Sequence, residues 1–108
     1  MALAEPIQQG QLDSLQHASA AEIGRLLATY KGGAVQVAEH FLSRIEEQTS
    51  AVFLNVTQDR ALAEARSSDE RLAAGRPLSP LDGVPLAWKD LIDMAGERTT
   101  VASGLFKE

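Results

Sequence analysis

Cysteine is absent from this sequence, which excludes a disulfide framework, a thiolate metal site and a cysteine nucleophile from these residues and fits a reducing compartment. Basic residues are the minority charge, 10 Lys and Arg against 15 Asp and Glu, for a formal net charge of -5. That balance gives no electrostatic ground for nucleic acid or an anionic membrane as a partner. Long apolar runs are also missing, since no window approaches the roughly 18 apolar residues of a spanning helix. Residues 1–16 have Glu5 and Asp13, no basic start and no unbroken apolar run, so they are neither a secretory signal nor an anchor, and a cytoplasmic protein is expected. Gly32-Gly33 lacks the repeated glycines and following lysine of a phosphate loop. Histidine occurs twice. His17 falls in the opening stretch and His40 sits between Glu39 and Phe41, off the main apolar stripe, so both read as solvated or packing residues. No metal site and no cofactor is implied.

What is present suits a folded globular chain of single-domain size: 108 residues, 44% of them apolar. Residues 1–18 show no helical or strand period and contain Pro6 and Gly10; they are expected to be a poorly ordered lead-in, with the folded part covering 19–108. Ser19-Ala20-Ala21-Glu22 has the form of a capping box, and Ile23, Leu26, Leu27 and Tyr30 then recur on one helical face until Gly32-Gly33 stops the helix. A second amphipathic segment from about Ala34, with Ala38, Phe41, Leu42 and Ile45 on one side, completes a helical hairpin. Val52-Phe53-Leu54-Asn55-Val56-Thr57 is short, β-branched and aromatic, which predicts a strand buried on both faces. From 58 to 74 alanine dominates, Asp59 stands at the start, Arg71 near the end and Gly75 at a C-cap position, predicting one long helix whose stripe of Ala61, Ala65 and Leu72 is thin. Ser67-Ser68 reads as part of its polar face.

Arg76-Pro77-Leu78-Ser79-Pro80 is a proline-bracketed loop, followed by a tight turn, Leu81-Asp82-Gly83-Val84, in which Gly83 takes a positive φ. Val84-Pro85-Leu86-Ala87-Trp88 predicts a second strand, with Pro85 near its start. Two strands do not make an independently stable sheet, so the inventory reads as part of a larger α/β protein. Lys89 stands at the C-terminal end of that strand, where α/β sheets place their ligands, and alternation puts it on the small-residue face of Pro85 and Ala87. A lysine in such a place acts as a base if burial and neighbouring donors lower its pKa. Otherwise it is an ordinary snorkelling side chain. Thr99, Thr100 and Ser103 cluster after the Ala95-Gly96-Glu97 turn and are weaker candidates for holding a substrate oxygen.

The run from Pro80 through Gly83, Pro85, Lys89, Asp90 and Asp93 to Gly96, followed by Arg98-Thr99-Thr100 and Ser103, resembles the lysine-bearing block of the amidase-signature family. The stretches about Ala38 to Ile45, Phe53 to Thr57 and the alanine-rich helix resemble the usual approach to it, so the likeness covers roughly residues 20–105. The resemblance implies the amino-terminal helices and first strands of a mixed-sheet α/β fold, incomplete in this chain. It implies a small-molecule amide substrate for the full-length protein, and a serine, cis-serine, lysine triad in which Lys89 is the lysine. In that scheme the uncharged lysine takes a proton from the bridging serine, which takes one from the nucleophile. The glycine- and serine-rich segment that carries both serines has no counterpart among these residues, Ser103 is no substitute for it, and Trp88 is bulkier than the small aliphatic usual before the lysine.

Two readings follow. In one, the chain is part of an amide hydrolase, or of an amidotransferase A-type subunit, and is inactive alone because two members of the triad are elsewhere. In the other, it is a non-catalytic helical module whose hairpin, residues 19–48, forms a homodimer or docks onto a partner subunit.

Overall fold

The computed structural model describes residues 6–30, 32–47, 53, 56–87 and 95–96. Among them the chain is helical: α1 Gln9–Ser14, continued by a 3₁₀ turn Leu15–His17, then α2 Ala20–Thr29, α3 Gly33–Glu46 and α4 Gln58–Ala73. The start of α2 follows from its cap. The Ser19 hydroxyl accepts the Glu22 amide at 3.1 Å and donates to the Glu22 carboxylate at 3.2 Å, so one residue pair serves two of the first turn's polar groups. Ile23 and Leu27, one turn apart, are buried; Leu26 and Tyr30 pack at the edge of the same face.

Gly32 does not simply end α2. It adopts φ 73°, a left-handed conformation, and serves as the N-cap of α3, which begins one residue earlier than its apolar stripe suggests. Without a side chain it leaves the first amides of α3 without a local acceptor. Asp69, about one turn before the C-terminal end of α4, supplies one: its two carboxylate oxygens accept the amides of Ala34 at 2.8 Å and Val35 at 3.1 Å. A carboxylate at a helix N-terminus also meets the positive end of the helix dipole. This contact locks the most extensive helix pairing, α3 against α4. Ala34 and Val37 on α3 and Leu27 on α2 are the most deeply buried apolar residues, and burying each of the two larger side chains contributes about 1.5–3 kcal/mol.

α4 ends as its Gly75 predicts. That residue has φ 69°, its amide bonds to Leu72 O at 3.1 Å, and the Arg76 amide reaches Arg71 O at 2.9 Å, which together make a Schellman motif. The thin stripe is real at Ala65, which is buried, with Leu62 and Leu72 packed beside it. Ser67 lies on the polar face, but Ser68 is buried on the same side as Ala65, a correction to the reading of both serines as solvated.

In the opening stretch regular structure covers residues 9–17, and Ile7, Leu12 and Leu15 join the core. The Ile7 amide donates to Gln36 Oε1 at 2.9 Å and the Gln36 side-chain amide donates back to the Ile7 carbonyl at 3.4 Å, tying this segment to α3. Tyr30 adds a hydroxyl donated to Gln11 Oε1 at 3.1 Å. The 3.6-residue period is invisible here because α1 has six residues and passes directly into a tighter turn, so the buried positions fall at irregular intervals.

Neither predicted strand forms among the described residues. Phe53, Val56 and Thr57 lie outside regular structure, with Phe53 and Val56 exposed rather than buried on both faces. Residues 84–87 are likewise outside any strand, and Leu86 is 72% exposed. A short apolar run becomes a strand only with a neighbour to bond, which is the physical content of the difference. Val52, Leu54, Asn55 and Trp88 lie outside the described residues.

Candidate active site

The best-defined polar cluster is built where the loop after α4 folds back onto the helices. Pro77 and Pro80 restrict that loop, the Leu81 amide bonds to Ser79 Oγ at 3.1 Å and the Asp82 amide to Ser79 O at 3.1 Å, so Asp82 is presented on a short, stiff turn. Its carboxylate is buried, with 3% of the side chain exposed. Oδ1 accepts Ser68 Oγ and Arg71 Nη2, each at 2.8 Å; Oδ2 accepts Arg71 Nε at 2.8 Å and the Leu78 amide at 2.9 Å. Arg71 Nη2 also donates to Ser68 Oγ at 3.0 Å. Ser68 and Arg71 are three apart and share a helix face, which lets the two side chains converge on one carboxylate.

This is a two-pronged arginine–carboxylate pair of the geometrically specific kind. The arginine hydrogen bonds hold the Asp82 carboxyl well below the usual carboxylate range, against the opposing effect of burial, with the Leu78 amide and Ser68 adding to the lowering. Arg71 is pushed above its ordinary value, chiefly by the same hydrogen bonds. Asp82 is therefore an anion at any pH near neutrality, with four donors on its oxygens, and its chemistry is that of an anchor rather than of an acid or base.

Gly83 is placed as the sequence predicts, with φ 93°, and the Val84 amide closes the turn onto Leu81 O at 3.0 Å. A side chain there would press on Ala34 Cβ and Leu27 Cδ1, both at 3.1 Å, and approach Ser68 Cβ at 3.5 Å. Gly24 plays the matching part on α2, where a Cβ would fall on the Pro80 carbonyl oxygen. The turn thus sits at the junction of α2, α3 and α4. A second contact returns farther along: Arg60 of α4, paired with Glu64 at 3.1 Å, donates from Nη1 to the carbonyl of Ala95 at 3.0 Å, beside Gly96 with φ 81°.

Of the residues singled out from sequence, Gly83 is in this assembly, while Lys89, Thr99, Thr100 and Ser103 lie outside the described residues. His17 is exposed in the 3₁₀ turn; His40 packs edge-on to Phe41 at 5.6 Å between ring centroids, its Nε2 buried without a hydrogen-bond partner among the described residues. Ser68, Arg71, Asp82 and Arg60 were missed as a group. The signal that finds the first three is a serine and an arginine at helical spacing on the buried side of a stripe, followed by one acidic residue in a proline-bracketed turn.

A family model described as Amidase matches residues 36–108. The chain belongs to the amidase-signature family. The matched part takes in most of α3, from Gln36 on, the whole of α4, and the lysine block with its docked turn. Among curated relatives of this amidase-family chain, the A subunit of the glutamyl-tRNA(Gln) amidotransferase of Thermobifida fusca is 42% identical over 91 residues, 82% of this chain and 18% of that protein. The protein of the same name from Streptomyces coelicolor is 45% identical over 91 residues, again 82% and 18%. That from Chloroflexus aurantiacus is 43% identical over 94 residues, 85% of this chain and 19% of the relative. The chain therefore spans under a fifth of the length of the curated relatives it matches. No solved structure matches it. Among the described residues no helix is long and apolar enough to cross a membrane.

Proposed function

We propose that these residues carry the lysine of an amide-hydrolysing site, with Lys89 as the base of a serine, cis-serine, lysine triad. The observation that carries the reading is the family match over the whole lysine block, together with the docked Asp82-Gly83 turn near its start. In this reading the uncharged amine nitrogen of Lys89 accepts a proton through the bridging serine from the nucleophilic serine. The nucleophile's oxygen then bonds to the amide carbonyl carbon, the C–N bond breaks as the leaving nitrogen takes a proton, and water cleaves the resulting ester to free the acid. Both serines and the oxyanion donors come from outside residues 1–108, so the chain by itself is inactive, and the substrate is a small-molecule amide in the complete protein. The mixed-sheet α/β fold belongs to the same reading: the four helices are its amino-terminal part, and residues 52–57 and 84–88 become strands when neighbours pair with them. Thr99, Thr100 and Ser103 are proposed as contacts to substrate oxygen, and a cytoplasmic site of action fits the charge and the cysteine-free composition.

A second reading within the family is favoured by the relatives, each named as the A subunit of an amidotransferase. Here the released ammonia passes to an acceptor and a partner protein completes the enzyme. The experiment for both is ammonia release from primary amides by the protein as its source makes it. Hydrolysis without any partner supports the first reading; hydrolysis that needs a second subunit supports the other. Absence of amide cleavage under both conditions would sink the proposal and leave the non-catalytic helical module.

A further inference from the structure

The lysine block is fastened to one helix at two places. Near its start, Asp82 is gripped by Arg71 and Ser68; near its end, the Ala95 carbonyl is held by Arg60 at 3.0 Å. Both arginines belong to α4, eleven residues and so about 16 Å apart along its axis. The order is reversed between helix and anchors: the later arginine holds the earlier anchor, so Asp82 is held toward the C-terminal end of α4 and Ala95 toward its N-terminal end. Lys89 is seven residues after the first anchor and six before the second. α4 is itself rigidly set, because Asp69, one residue from Ser68, caps α3.

The two grips differ in strength. The Arg71 pair is two-pronged on a carboxylate with 3% side-chain exposure, whereas Arg60, at 40% exposure, makes one bond to a carbonyl and shares its charge with Glu64. Fastening both ends of a segment removes most of the conformations open to its middle, and a catalytic group needs that restriction, since small misplacements cost large factors in rate.

We propose that α4 is a two-point clamp for the lysine-bearing segment, with Arg71 and Asp82 as the principal positioning residues for Lys89 and Arg60 as the secondary one. The proposal rests on the role given to Lys89 above, and its test separates the two. The sequence has a single tryptophan, Trp88, next to Lys89, which makes the chain's own fluorescence a local probe. In the 108-residue chain, Arg71→Ala and Asp82→Ala should shift Trp88 emission and raise acrylamide quenching toward the values of the urea-unfolded chain, while the helical circular dichroism stays near wild type. Arg71→Lys, which keeps charge but loses the fork, should fall between. In the protein as its source makes it, the same alanine variants should lower kcat by about 10- to 100-fold with KM little changed. Should an alanine variant at 71 or 82 lose its helical signal, Arg60→Ala, on an exposed side chain, decides the matter by a smaller shift of Trp88 in the same direction. Folded variants with unaltered Trp88 fluorescence overturn the clamp, as does unaltered kcat where Lys89→Ala is inactive. If Lys89→Ala keeps full activity, the catalytic role fails instead, and the fluorescence alone decides whether α4 fastens the segment.

Discussion

The amides at the start of α3 depend on a residue 35 positions away, and removing it gives a sharp test of how this fold is assembled. Asp69 accepts the Ala34 and Val35 amides. Ala34 is fully buried, so in Asp69→Ala its N–H loses its partner with no water to replace it, a cost of about 1–3 kcal/mol. Val35 is partly accessible and recovers most of its loss from solvent. The lost carboxylate at a helix N-terminus adds about 0.3–1 kcal/mol. Together these predict a destabilisation of about 2–3 kcal/mol, or a Tm lower by roughly 10 °C for a chain of this size. Asp69→Asn, which retains one acceptor oxygen but turns an NH2 group toward the second amide, should cost about half as much. Urea unfolding at pH 7 followed by circular dichroism measures both, with Glu70→Ala, an exposed neighbour, as the near-neutral control. An Asp69→Ala variant within about 0.5 kcal/mol of wild type would refute the reasoning, because that is the scatter of ordinary surface substitutions. A cap at position 32 should not rescue the loss: Gly32 has φ 73°, where side chains are strained and the usual N-cap geometry is not available.

Two further outcomes follow from the docked turn. Gly24→Ala places a methyl group on the Pro80 carbonyl oxygen, so the loop of residues 79–84 must lift from α2; the variant should lose about 1–3 kcal/mol despite the better helix propensity of alanine, and a stabilised variant would show that the close approach is wrong. Asp82 titrates lower in the folded chain than in the unfolded one, where its ordinary value is 3.8. Its stabilisation is therefore present in full above that value and is lost as pH falls below it toward the lower folded pKa. The stability difference between wild type and Asp82→Asn should be flat from neutral pH to about 5 and shrink below about 4; a difference that grows on acidification would contradict the assignment.

Much of the helical part is legible in the residues because it rests on local rules. Ser19 and Glu22 announce the start of α2, Gly75 the end of α4, and Gly83 the positive φ of the turn, each through a requirement of one or two neighbouring residues. What depends on distant partners is not legible. Ile7, Leu12 and Leu15 show no period, yet they are core because α2 and α3 offer a surface to cover. Asp69 looks like one more surface acid of an alanine-rich helix until α3 brings its bare N-terminus alongside. Arg71 suits the end of a helix dipole on sequence grounds, and only the return of the chain reveals Asp82 as its partner. The strand expectations at 52–57 and 84–88 fail among the described residues for the converse reason: β-branched and aromatic runs state a preference for pairing but supply no partner. For the site, the lysine block is recognisable from its residues, whereas the helix that fastens it is found only from contacts.

The central claim is that Lys89 acts as an uncharged base, and substitution by alanine and by arginine in the protein as its source makes it tests that most directly. Arginine keeps the positive charge and much of the length but does not give up its proton. If Lys89 is the base, both variants should lose amide hydrolysis, read as ammonia release, by on the order of 1,000-fold or more, with the fold retained. If Lys89→Arg restores activity that Lys89→Ala lacks, the lysine is only a fixed charge, and if both remain active, the triad assignment is wrong.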